Sequence, residues 1–214
     1  MRLIFDPTDC QGVYSVSLLD AAVPVNDVLQ RLTSDPGWAR QPPGSDDTAR
    51  WAISSLYDCQ TSDSVLQNFC RSFDTVAIKQ QLLELAIRDQ VFQDHWSRPD
   101  LGCFSAISSS YAYYVETPAC FEDHPWHTDS KNLVIQGMLY IVTDESEQRG
   151  TWFTRDPEVL RNETWATVTK ISARPYQGWL LINSDRSYHR GLNYSDVPRY
   201  CIKFGIQLNT QPPP

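Results

Sequence analysis

The sequence predicts a mainly β chain with flanking helices, in which a helical N-terminal half supports a β-rich second half. Three observations predict it. Apolar residues between 74 and 92 recur at every third or fourth position, the period of a helix that buries one face. After Gly102 the pattern changes to short β-prone runs separated by turns, as in a barrel or sandwich. The last run alternates strictly: Tyr200, Ile202, Phe204, Ile206 and Leu208 fall on one face, and Arg199, Cys201, Lys203, Gly205 and Gln207 on the other.

A chain of 214 residues is long enough for one domain with a substantial core. The expected organisation is a single domain over 1–214, with helical support and lid elements over 1–104, a β core over 105–208 and a tail over 209–214. Its 41% hydrophobic and 21% charged content fits an ordinary soluble globular protein. No run approaches the roughly 18 apolar residues of a membrane span. The start, Met1 to Pro7, has no long apolar region, so no membrane association and a cytoplasmic location are expected. A net charge of −8 disfavours nucleic acid as a partner, because such binding depends on neutralising phosphates. The six cysteines are widely spaced, with no Cys-x-x-Cys pair, and are expected to be reduced and to act as small hydrophobes.

Taken in order, Asn26 is placed to cap a short helix through Leu32, which Asp35-Pro36-Gly37 would end. Residues 41–47 read as an exposed loop, either plain surface or a lid. The helix from Asp74 or Thr75 to about Phe92 would bury Ile78, Leu82, Leu85 and Ala86, with Leu83 and Ile87 widening the stripe. A turn at 98–102 closes this half. Strands are expected at 107–115, 133–142, 151–153, 166–171, 179–183 and 200–208. The run at 133–142 is apolar on both faces, as a covered central strand should be. In the last strand the apolar face is expected to pack on helices and the basic face to point into the barrel. Arginine is costly there unless paired, so Arg199 implies a buried anion.

The chemistry-bearing residues are His127 and Asp129, then His189, then Arg199. Two imidazoles and one carboxylate can occupy one face of an octahedral metal and leave the other face open, the ligand set of non-haem Fe(II) oxygenases. The ordinary alternatives are a turn aspartate and a core histidine, and His-x-Asp alone is a weak signal.

The ordered set of four is more specific, and it resembles the Fe(II)/2-oxoglutarate-dependent oxygenase superfamily over residues 105–208. Within it, the prolyl-hydroxylase-like branch is the nearest. His127-Thr128-Asp129-Ser130-Lys131 leads into an apolar strand, Gly150-Thr151 opens the next, and Gly178-Trp179-Leu180-Leu181-Ile182-Asn183 precedes the distal His. The resemblance implies a double-stranded β-helix (jelly-roll, cupin-like) core. It implies His127, Asp129 and His189 as catalytic ligands of Fe(II), with 2-oxoglutarate and O₂ as cosubstrates. Arg199 would pair with the distal carboxylate of 2-oxoglutarate, Lys203 being the fallback. Tyr111 or Tyr113 would hydrogen-bond the cosubstrate, and Tyr114 is the weaker candidate.

His124 offers a different metal pair with His127, or a place near the site without ligation. Trp126 is a candidate wall of the substrate pocket, and Gln136, Arg155 and Arg190 are candidates for its entrance. A carboxylate at 129 argues against halogenation, which in similar proteins needs a small residue there. The expected reaction is hydroxylation of an unactivated C–H bond of a small molecule, amino acid or peptidyl residue, with succinate and CO₂ as co-products. The competing readings are a non-catalytic metal- or anion-binding barrel or sensor and, disfavoured by the acidic charge, a nucleic-acid dealkylating oxygenase.

Overall fold

The computed structural model describes residues 2–19, 21–40, 53–56, 61–73, 75–96, 107–116, 126–129, 133–162, 167–195 and 197–208. The 41–47 loop, the 98–102 turn, His124 and the 209–214 tail lie outside them, as do the side chains of 53–56 and 107–116.

The chain opens with an antiparallel hairpin of β1 (Arg2–Pro7) and β2 (Val13–Leu19). Helix α1 (Val25–Ser34) follows, then the short strands β3 (Ala39–Arg40) and β4 (Ile53–Leu56). Helices α2 (Ser64–Arg71), α3 (Val76–Arg88) and α4 (Gln90–His95) complete the first part. The second part contains β5 (Ile107–Glu116), β6 (Leu133–Tyr140), β7 (Ser146–Thr154), the short helix α5 (Pro157–Asn162), β8 (Thr169–Ala173), β9 (Gln177–Ile182), β10 (Tyr188–Asn193) and β11 (Arg199–Leu208). Two antiparallel sheets result. The large one runs β1-β2-β9-β6-β11-β5-β4-β3 and the small one β10-β7-β8.

Each face of the large sheet has its own apolar core. Ile135, Leu139, Leu180, Ile182, Ile202, Phe204 and Ile206 pack against Val28, Leu32, Leu66, Phe69, Ile78 and Leu82 of the helices. On the other face Met138, Tyr140, Trp179, Leu181 and Cys201 meet Phe153 of the small sheet. β11 therefore divides as its alternation predicts, and β6 is covered on both sides. Among the described residues no helix is long and apolar enough to cross a membrane.

The N-terminal half is not wholly helical, as the pattern suggested, because β1 and β2 extend the large sheet through β2–β9 pairing. Val13 enters the inter-sheet core while Val16 and Leu18 face the helices. A strand buried on both sides loses the one-face alternation that would reveal it. Helix α1 starts at Pro24 with no side-chain cap, so Asn26 lies in its first turn and does not cap it. Its end at Asp35 is as expected, with Oδ1 accepting from the Gly37 amide at 2.7 Å. The single long helix is two, broken at Asp89. That residue's N–H donates to Ala86 O at 2.9 Å, while its carboxylate caps the Val91 amide at 2.8 Å and receives the Tyr14 hydroxyl. Ile87 is consequently exposed and does not widen the stripe.

Two backbones approach closely at Gly178 of β9, where a Cβ would lie 1.8 Å from Met138 O. Gly178→Ala must push β6 and β9 apart, and is expected to cost about 1–3 kcal/mol, the usual range for overpacking. A thermal melt reads this as a lower Tm; an unchanged Tm would mean that the β6–β9 spacing is slack.

Candidate metal centre and anion pocket

His127 and His189 are brought together by backbone before side chains matter. The His127 amide donates to His189 O at 3.1 Å and the His189 amide to His127 O at 2.9 Å, an antiparallel bridge between 126–129 and β10. Their rings are 4.4 Å apart between centroids. Asp129, two residues on, returns to the same side of the chain, and its Oδ2 lies 3.4 Å from His189 Nε2. One donor atom from each of the three falls within 4.8 Å of the others.

Asp129 Oδ2 is buried and accepts no hydrogen bond. A charged oxygen in that state is costly unless a cation completes it. Burial pushes the His189 imidazole down to about 4, with the Asp129 charge opposing the shift, so the ring is neutral at neutral pH. Its Nδ1 sits 3.2 Å from Ser187 O; a proton there leaves the Nε2 lone pair for a metal. Phe153 and Trp179 wall the ring, at centroid distances of 6.2 and 5.8 Å. Two imidazoles and one carboxylate suit Fe(II).

Arg199 is fully buried on the inter-sheet side of β11. Its Nη1 donates to Gly150 O of the facing sheet, and its guanidinium carbon lies 5.4 Å from the centre of the Tyr140 ring. Tyr140 Oη and Thr151 Oγ1 are 2.9 Å apart, and Trp179 Nε1 donates to Thr151 Oγ1 at 3.0 Å. A guanidinium and two hydroxyls thus share the space between the sheets. Tyr140 and Thr151 went unnoticed in the sequence because both are common strand residues. The available signal was Tyr140 closing an apolar strand on the Met138 face. Lys203, the fallback for Arg199, places its Nζ 3.8 Å from Asp129 Oδ1, beside the triad.

The other sequence candidates separate. Gln136 is buried on the Met138–Tyr140 side of β6 with Oε1 making no hydrogen bond, so it lies inside the roll, away from any surface entrance. Register pairs Tyr111 with Phe204 and Tyr113 with Ile202, the helix-facing residues, whereas Ala112 pairs with Lys203 and Tyr114 with Cys201. The side chains of Tyr111, Tyr113 and Tyr114 lie outside the described residues. Arg190 pairs with Trp152, as His189 pairs with Phe153. Since His189 and Phe153 face inward, Arg190 lies on the outer face of the small sheet, its guanidinium 5.6 Å from the Trp126 ring and 5.2 Å from the Trp152 ring. Trp126 and Trp152 thus pack against the Arg190 guanidinium beside the metal-bearing strands. Arg155 spends its donors on Gln11 O, Ser184 Oγ, Ser187 Oγ and Ile182 O. Cys10, Cys70 and Cys201 are buried; the side chains of Cys59, Cys103 and Cys120 lie outside the described residues.

No protein-family model and no curated protein matches the sequence. Solved structures do. A prolyl-4-hydroxylase from Pseudomonas putida aligns with a TM-score of 0.60 at 13% identity, over 93% of this chain and 94% of that one. A prolyl hydroxylase from Trichoplax adhaerens, in complex with a hypoxia inducible factor peptide fragment, gives 0.61 at 12%, over 92% and 84%. SnoN, a non-heme α-ketoglutarate-dependent epimerase from nogalamycin biosynthesis, gives 0.55 at 16%, over 92% and 78%. The fold is that of Fe(II)/2-oxoglutarate-dependent oxygenases. In this oxygenase fold the two sheets form a double-stranded β-helix, with β5, β11, β6 and β9 on one side and β10, β7 and β8 on the other. The triad lies at the bridge between 126–129 and the edge of the small sheet.

Proposed function

We propose that this chain is an Fe(II)- and 2-oxoglutarate-dependent oxygenase that hydroxylates an unactivated C–H bond. The balance is one substrate, one 2-oxoglutarate and one O₂ giving the alcohol, succinate and CO₂. The observation that carries the proposal is the His127, Asp129 and His189 cluster, with donor atoms within 4.8 Å and a buried carboxylate oxygen that accepts no hydrogen bond.

His127, Asp129 and His189 would hold the iron, and Arg199 would take the distal carboxylate of 2-oxoglutarate. When bound, the iron with its cosubstrates supplies the oxidation of the C–H bond. The chain supplies the setting. A planar guanidinium fork fits a carboxylate bidentately, and the Tyr140 and Thr151 hydroxyls are placed to complete its hydrogen bonding. Phe153 and Trp179 keep water from the His189 side, and the Ser187 carbonyl fixes which nitrogen of that ring carries the proton. Solved structures of this fold include a peptide complex and an epimerase of nogalamycin biosynthesis, which supports a substrate drawn from peptidyl residues, amino acids or small metabolites.

The test is anaerobic mixing of the purified chain with Fe(II) and 2-oxoglutarate. A weak visible charge-transfer band is expected, and admitting O₂ should then yield succinate. Neither signal from folded, reduced protein would overturn the proposal. A metabolite and peptide screen for gain of one oxygen then separates hydroxylation from an epimerisation, which leaves the mass unchanged.

A further inference from the structure

We infer that Arg155 is a positioning residue for His189, and that through it the N-terminal hairpin is a working part of the metal centre. This rests on the reading of the triad as a metal site. Arg155 follows the end of β7 and joins three segments that are remote in sequence. Its Nε donates to Gln11 O in the β1–β2 turn at 2.9 Å. Its Nη1 donates to Ser184 Oγ at 2.6 Å and Ser187 Oγ at 2.9 Å in the β9–β10 turn, and its Nη2 to Ile182 O at 3.1 Å.

Ser187 is held from every side. Its hydroxyl also donates to Ile182 O at 3.1 Å and accepts from the Ser184 amide at 2.7 Å. The same residue's carbonyl sits 3.2 Å from His189 Nδ1. Both residues are buried, at 1% and 4% exposure, so solvent cannot replace a lost partner there. Fixing the Ser187 backbone therefore fixes the tautomer and rotation of the His189 ring, the usual task of groups surrounding a metal ligand.

The hairpin is shaped to admit the guanidinium. Gly12 has a φ of 74°, and a Cβ there would sit 2.5 Å from Arg155 Nη2. Gly12 O also accepts the Ile182 amide at 2.8 Å, just before the same turn. Arg155 makes no hydrogen bond to a triad residue, so its influence on the metal passes through Ser184 and Ser187.

Anaerobic titration of the full chain with Co(II), a spectroscopic stand-in for Fe(II), tests this. Arg155→Ala, Ser187→Ala and Gly12→Ala are each expected to weaken Co(II) binding about 10- to 100-fold, the range typical of lost support around a metal ligand, and to shift the visible bands. Arg155→Lys should restore part of the affinity. Tyr14→Phe removes a hydrogen bond from the same hairpin outside the bracket; it should lower Tm and leave affinity and bands unmoved. Should Arg155→Ala fail to fold, Arg155→Lys and Ser187→Ala carry the test. Wild-type affinity and bands in folded Arg155 and Ser187 variants would overturn the inference, as would equal weakening by Tyr14→Phe. Failure of the triad reading looks different: the wild-type chain would bind no Co(II), or His127→Ala would bind it equally, and both proposals would fall together.

Discussion

Asp129→Ala is expected to abolish 2-oxoglutarate-dependent succinate formation while leaving the chain folded. The carboxylate offers a metal one of three protein ligands, yet it does little for the fold. Its Oδ2 makes no hydrogen bond, and its nearest cation, Lys203 Nζ at 3.8 Å, is partly exposed. A buried carboxylate oxygen that no donor satisfies contributes no net stability until a cation completes it. Thermal melts without metal should therefore nearly coincide for variant and wild type. Melts with metal should not. A ligand present at 100 times its Kd stabilises the native state by about 2.7 kcal/mol, and only the wild type should gain it. His127→Ala should behave in the same way. His189→Ala should also lose apo stability, because it empties a buried site beside Phe153 and Trp179. Turnover unchanged in Asp129→Ala would show that the triad is wrongly chosen.

Arg199→Ala is the second large effect, and it should appear in the cosubstrate requirement. Truncating one partner of a buried, hydrogen-bonded charge pair costs about 2–5 kcal/mol. At about 1.4 kcal/mol per tenfold, the 2-oxoglutarate KM should rise between about 30-fold and a few thousandfold. Saturating 2-oxoglutarate should recover most of kcat, since on the proposed reading the arginine would bind the end of the molecule that does not react. Arg199→Lys should fall between the two, keeping the charge but losing the fork. The variant also deprives Gly150 O of a donor between the sheets, so some loss of Tm is expected alongside. An unaltered requirement would redirect attention to Lys203, the remaining cation on that face.

Residues whose role depends on their own chemistry and local period were the legible ones. His127, Asp129, His189 and Arg199 stand in a readable order, and β11 divides its faces because helices cover one side and the small sheet the other. Residues defined by distant partners were not. Asp89 looks like any helical aspartate until the Tyr14 hydroxyl arrives from β2. β10 is short and reads His-Arg-Gly-Leu-Asn after its first residue, so nothing local marks it as a strand; pairing with β7 makes it one. Arg155 and Arg190 read from the sequence as candidates for the pocket entrance, with no motif to say what they contact. Alternation sends Arg190 to the outer face, and a set of carbonyls and hydroxyls from two remote segments consumes Arg155. Those partners are set by tertiary contacts, and composition carries no trace of them.

The bridge between His127 and His189 has a kinetic consequence. The two residues are 62 positions apart in the chain, yet the amide of each donates to the carbonyl of the other. A metal held by both rings would then act as a reversible cross-link closing a long loop, where such a clip restrains the open chain most. Amide hydrogen exchange at these two positions should slow when metal is added and quicken when it is chelated. The seam would then report iron occupancy without any substrate, as a latch whose bolt is the ion itself.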